Sequence, residues 1–298
     1  MPSVLVIHGT GGPRRSAESL RLEWRTSMQD GLVLAGAPAG LLDDPGAVGV
    51  VGLDGHDGHD GHDGLDGLDG LGGLGGLGAP AGPPTPWEEA VLRAWLRSAV
   101  FDDAAVGPPL TALGRSRYFA GLPPEELLDT VRTMTAYLLA DEGGERAVRL
   151  VRAALTPDVR VVVGFSLGSV PAFDAVAGEP GRALVTVGSP LALRDRPDLP
   201  GGPRRRRRPI AAPWLNLVDA ADALAGGDGL AGRYGEAVRD VFLDCDPRLR
   251  APRPYAATAE FGQALSEAAG LAAVGTAAAG SNRPASGTST RTNAAEAR

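Results

Sequence analysis

"VVVGFSLGSV", residues 161–170, is the stretch on which the reading of this chain turns. Three valines make the apolar, β-branched run of a buried strand, and the run stops at a Gly-Phe-Ser-Leu-Gly turn. "SVPAFDAVA", residues 169–177, then continues with helix-compatible composition. Gly164, Ser166 and Gly168 thus fit G-x-S-x-G between a strand and a helix. That setting is what gives the pattern weight, because a chain with 43 glycines meets the bare pattern by chance. On such a turn a serine hydroxyl stands exposed at the carboxyl edge of a sheet, and the flanking glycines relieve the crowding. The new helix's N-terminus adds N–H groups and positive dipole where negative charge develops. An incidental turn is the plain alternative; the context favours Ser166 as a nucleophile.

Outward from that turn, the first partner is near the N-terminus. Val4–Ile7 is a short apolar run, as in a parallel strand buried on both faces, and it ends in "HGTGG". A glycine-rich loop there can turn a backbone N–H of Gly9 or Thr10 toward the nucleophile, with the N–H of Leu167 as second oxyanion donor. A phosphate loop is the competing reading, but the spacing matches neither G-x-x-x-x-G-K-[ST] nor G-x-G-x-x-G. His8 reads as a brace for the loop rather than a chemical group.

Further apolar runs fall at 46–53, Val159–Val163, Ala183–Val187, Leu215–Val218 and Val238–Leu243. Helical spacing of Leu20, Trp24, Met28 and Leu32 predicts a crossover helix over 16–36, and helices are predicted at 123–140 and 142–155. Alternating strands and helices imply right-handed crossovers. The expected fold is α/β, a mainly parallel sheet of about six strands covered by helices on both faces. "TPWEEAVLRAWLRSAV" opens with Thr85 as N-cap, Pro86 at the first helical position and Glu88 completing a capping box. That helix is expected to pack over the sheet or to form part of a lid.

Residues 1–270 are read as one domain, with two regions outside its core. Residues 52–84 repeat with glycine at every third place but almost no proline, so a collagen triple helix is not expected. A flexible insertion is the favoured reading, with metal binding by its His and Asp the alternative. Residues 271–298, rich in Ala, Gly, Ser and Thr, are expected to form a disordered tail.

Bulk properties narrow the classes. In 298 residues, 43% hydrophobic content supports a sizeable core, and the net charge of -7 argues against general nucleic-acid binding. All 29 basic residues are Arg, which together with abundant Ala, Gly and Pro suggests coding bias. A single cysteine, Cys245, rules out an internal disulfide framework. The N-terminus lacks a basic region ahead of its short apolar run, and no run approaches the roughly 18–20 residues of a membrane span. A soluble, cytoplasmic protein is expected, with no cofactor and no metal.

The order "VLVIHGTGG … VVVGFSLGSVPAFDAV … LVTVGSPLAL … WLNLVDAADALAG" resembles the α/β-hydrolase superfamily, and in particular the lipase/esterase-like hydrolases common in actinobacteria. The similarity covers about residues 3–266, interrupted by the insertion. It implies a serine hydrolase acting on a small-molecule or lipid-like ester, with a triad in the chain order Ser, Asp, His. Ser166 carries over directly. The acid carries over to "NLVDAADALA", where Asp222 matches the usual D-x-V-A place and Asp219 is the neighbouring candidate, or else a strand-end turn residue. Ser189, in the "GSP" turn, shapes the site.

The sequence departs from that pattern at the base. Where a His-x-x-Tyr-type motif is expected, the chain reads Arg253-Pro254-Tyr255, and no histidine follows His62. Arginine stays protonated and has no acceptor lone pair, so it cannot take the role. A serine hydroxyl without a base is a weak nucleophile at neutral pH. Phe165 also stands where many relatives have histidine before the nucleophile. His8 lies on the oxyanion side, and His56, His59 and His62 belong to the insertion, so neither source offers an anchored base. Arg204–Arg208 between prolines reads as a solvated loop, with attraction of an anionic head group as the functional alternative. Two readings follow: an ester hydrolase acting through Ser166, or a degenerate hydrolase kept as a binding or regulatory module.

Overall fold

Six short strands rich in β-branched and apolar residues stack into one parallel sheet, the central β3, β4 and β5 buried along their whole length. In the computed structural model, which describes residues 3–9, 16–53, 82–101, 107–139, 141–194, 210–245 and 253–281, these are β1 (Val4–His8), β2 (Val48–Gly52), β3 (Val161–Phe165), β4 (Ala183–Val187), β5 (Trp214–Asp219) and β6 (Arg239–Leu243). The order across the sheet is β2-β1-β3-β4-β5-β6, and every pairing is parallel. The expected α/β class is what the structure shows.

Helices cover both faces. Along the chain they are α1 (Ala17–Leu34), α2 (Pro86–Ser98), α3 (Pro109–Leu113), α4 (Pro124–Leu139), α5 (Asp141–Ala154), α6 (Ser169–Val176), α7 (Leu191–Arg194), α8 (Ala231–Tyr234), α9 (Arg253–Ala256) and α10 (Ala259–Ser281). Because successive strand side chains point to opposite faces, the strands inside the sheet feed two cores. Leu5, Ile7 and Val162 pack with α2, α4, α5 and α6, burying Trp95, Leu127 and Val151. Val4, Val6 and Val163 pack on the other side with Trp24 and Met28 of α1 and Phe261 and Leu265 of α10. On that second face α1 and α10 approach through glycines. A Cβ on Gly262 would stand 2.1 Å from the Gly31 carbonyl oxygen, and one on Gly31 would stand 2.4 Å from the Ala256 carbonyl oxygen. The close crossing seats α9, and with it Tyr255, against the sheet.

Several boundaries differ from the sequence reading for identifiable reasons. β3 begins at Val161 rather than Val159, because the Val159 N–H closes a turn onto Thr156 O and the Arg160 N–H donates to Ser3 O. The short helices α3, α7, α8 and α9 carry too few residues for periodicity to reveal them. α10 runs to Ser281, past residue 270 where the tail was expected to start. Residues 54–81 of the 52–84 repeat, Arg204–Arg208 and residues 282–298 lie outside the described residues.

α2 packs over the sheet, its Val91, Leu92 and Trp95 joining the core beneath it. Its start has the capping box that the sequence predicts: Thr85 Oγ1 accepts from Glu88 N at 3.3 Å, and Glu88 Oε2 accepts from Thr85 N at 2.6 Å. Replacing Thr85 with alanine is expected to cost about 1 kcal/mol of stability, read as a shift of the denaturant midpoint. An unchanged midpoint would mean that the cap contributes nothing.

The sheet order also places a crevice. From β1 the chain leaves to one side for β2, and from β3 it leaves to the other for β4, β5 and β6. The crossovers therefore part above the carboxyl ends of β1 and β3, the position at which open α/β sheets bind ligands. His8 ends β1, and Ser166 follows the last residue of β3.

Candidate active site

At the end of β3 the backbone must turn straight into α6, and the turn is made by a 3-10 segment over Ser166–Gly168. Ser166 has φ +50°, the one positive φ outside glycine among the described residues. For a residue with a Cβ this left-handed conformation costs about 1–2 kcal/mol and persists only where its surroundings enforce it. The enforcing contacts are close packing on both sides. A Cβ on Gly164 would stand 2.5 Å from Ser169 Cα and 3.0 Å from Ala172 Cβ, so α6 lies directly on the strand. A Cβ on Gly168 would stand 2.2 Å from the Ile7 carbonyl oxygen, so the turn also lies on β1. Ser169 Oγ then donates to Ser166 O at 2.6 Å and pairs with Ser189 Oγ at 2.7 Å, tying the turn to the loop after β4. Within 161–170 every residue except Ser166 is buried, and Ser166 is half-buried.

Gly9 stands against the same turn. A Cβ there would lie 3.0 Å from the Leu167 amide nitrogen and 3.2 Å from that of Gly168. The loop after β1 thus packs directly against the backbone of the turn that carries Ser166. Thr10, the other loop candidate, lies outside the described residues.

His8 is engaged elsewhere. Its ring stacks on Phe165, with centroids 5.4 Å apart, and its Nδ1 accepts from Trp24 Nε1 at 3.2 Å. A neutral imidazole has one acceptor nitrogen, and here Trp24 occupies it, which leaves the proton on Nε2. The ring braces β1 against α1 and the residue before the serine.

The two acidic candidates differ in surroundings. Asp219 Oδ1 accepts from Ala221 N at 2.8 Å and its Oδ2 from Cys245 N at 3.2 Å, the pattern of a strand-end turn that also pins the end of β6. Asp222, 1% exposed, accepts from Leu224 N at 2.9 Å and Ala225 N at 3.2 Å through Oδ1. Its Oδ2 accepts from Tyr255 Oη at 2.6 Å. Burial pushes this carboxyl up to about 6, against the opposing pull of the Tyr255 phenol and the two amides, with Asp219 adding repulsion. Burial, and next the charge of Asp222, raises the Tyr255 and Tyr118 phenols well above the ordinary value, so both stay protonated. Burial likewise raises the Cys245 thiol.

The sheet register relates this acid to the serine. Phe165 pairs with Val187, so Gly188 follows in step with Ser166 on the neighbouring strand. Gly188 has φ +55°, and a Cβ there would stand 2.9 Å from Asp222 Oδ2 and 3.4 Å from Tyr255 Oη. The pair therefore sits one strand away from the serine, at the same sheet edge.

Ser166, Gly9, Leu167, Asp219 and Asp222 are thus gathered at the carboxyl ends of β1, β3 and β5, while His56, His59 and His62 lie outside the described residues. Sequence reasoning passed over two phenols. Tyr255 stood in view, at the place where a His-x-x-Tyr motif was expected. Tyr118, on the loop after α3, had no signal at all. Among the described residues no group of His, Cys, Asp and Glu could hold a metal ion, and no helix is long and apolar enough to cross a membrane. Comparison with family models, curated proteins and solved structures returns no match to this chain.

Proposed function

We propose that this chain is a serine hydrolase of the α/β-hydrolase type that acts on carboxylic esters, small or lipid-like, with Ser166 as nucleophile. The observation that carries the reading is the strained serine at the sheet's switch point: φ +50°, glycines packed closely on both sides, and the one residue of 161–170 that is not buried. In this reading Ser166 Oγ attacks the acyl carbon. The N–H groups of Leu167 and the Gly9–Thr10 loop hold the oxyanion. Collapse expels the alcohol, and water then cleaves the acyl-enzyme. Asp222 is the acid of the site and Asp219 a turn residue beside it.

A second reading, a degenerate hydrolase serving as a binding or regulatory module, is favoured by one observation. The acid's free oxygen is taken by a phenol, not an imidazole. Fluorophosphonate labelling of the full chain separates the two. Wild type is expected to label at a rate that Ser166→Ala abolishes. Equal labelling of the two proteins would sink the hydrolase reading and leave the binding module.

A further inference from the structure

The base is the part of this site that no histidine among the described residues supplies, and the Asp222 surroundings bear on it. Asp222 Oδ1 is held by two amides, which leaves Oδ2 as the oxygen able to exchange a proton, and Tyr255 Oη lies 2.6 Å from it. That phenol is 4% exposed, its ring meets Phe165 edge-on with centroids 6.1 Å apart, and its oxygen lies beside Gly188, in step with Ser166. A hydroxyl both donates and accepts, as an imidazole does through its two nitrogens. We propose that Tyr255 relays the proton of Ser166 to Asp222, the part that an imidazole plays in a Ser-His-Asp triad. The inference rests on the hydrolase reading above.

As the Oγ–C bond forms, the carbonyl π pair moves to the oxyanion, the serine proton passes to Tyr255 Oη, and the phenol proton passes to Asp222 Oδ2. On collapse the C–O bond to the alcohol breaks, and the protons return by the same route to the departing alkoxide. Asp222 is again a carboxylate, and no other reactant is consumed. Two properties suit the route. The phenol holds its proton too firmly to exist as a free tyrosinate, so the transfer is concerted. The buried acid tolerates neutrality, its proton affinity lying close to neutral pH. The groups facing the pair are Tyr118, Asp219 and Cys245, and none of them brings a positive charge that would oppose protonation of Asp222.

The test is the rate of fluorophosphonate labelling of the full chain from pH 4.5 to 8.5, with thermal midpoints to establish folding. Wild-type labelling should rise with pH through about 6 as Asp222 ionises. Tyr255→Phe keeps the ring and should lose about a hundredfold, together with that inflection. Asp222→Asn should lose as much, and the double variant no more than either single one. Tyr118→Phe, which removes the other phenol facing Asp222, should stay within a few-fold of wild type. Labelling of Tyr255→Phe within twofold of wild type, or an equal loss in Tyr118→Phe, would overturn the relay and leave the hydrolase reading intact. A wild type that labels no faster than Ser166→Ala overturns both.

Discussion

Gly168→Ala is expected to lower the free energy of unfolding by about 3 kcal/mol or more, the upper end of what overpacking a core costs. Backbone conformation is not the cause, since Gly168 has φ -62° and ψ -20°, which alanine adopts freely. The cost is contact. The added methyl would lie 2.2 Å from the Ile7 carbonyl oxygen, 2.8 Å from its carbon and 3.1 Å from the Gly9 nitrogen. None of these atoms can give way cheaply. Ile7 is bound into the sheet from both sides, by Val51 on β2 and Gly164 on β3. The turn cannot lift away either, because α6 rests on Gly164 at a Cβ distance of 2.5 Å. Chemical denaturation of the variant against wild type checks this. A midpoint within experimental error of wild type would mean that the turn and β1 are less closely packed than described.

The second large effect is on the pH dependence of stability. Asp222 ionises near 6 in the folded protein, whereas its ordinary value is 3.8. A carboxyl with a raised value binds its proton more tightly folded than unfolded, so the protonated form favours the fold. That stabilisation is complete below about 3.8, is lost as pH rises through about 6, and stays lost above. The separation between 3.8 and about 6 corresponds to about 3 kcal/mol. Because other carboxylates titrate in the same window, the comparison to make is with Asp222→Asn, whose side chain does not ionise. The difference in stability between wild type and that variant should move by about 3 kcal/mol against wild type between pH 3.5 and 7. Parallel curves would show that Asp222 titrates as it does in water.

How much of this was legible depends on the distance over which each feature is encoded. The capping box at Thr85–Glu88 and the turn at 164–168 were readable because every residue involved lies within five positions. The order of elements was readable because β-branched runs and helical spacing alternate. Choosing between Asp219 and Asp222 was harder, since the two sit three residues apart on one loop. Their hydrogen bonds distinguish them, with Asp222 held by Leu224 N, Ala225 N and a distant phenol, and Asp219 closing a turn on Ala221. Tyr255 and Tyr118 were not legible as partners of Asp222, because their approach depends on the Gly31–Gly262 helix crossing and on an irregular loop. Neither leaves a periodic trace. The glycines at 164 and 168 were read as local relief of crowding, but their contacts reach farther, to α6 in one case and to β1 in the other.

The positive φ at Ser166 has an evolutionary implication. Glycine occupies that conformation at little steric cost, so a serine there holds the fold about 1 kcal/mol or more above what random substitution would settle on. Left to drift alone, the position runs downhill toward glycine and the hydroxyl disappears first. A hydroxyl at the top of that slope is held there at a cost in stability, which Ser166→Gly is expected to recover.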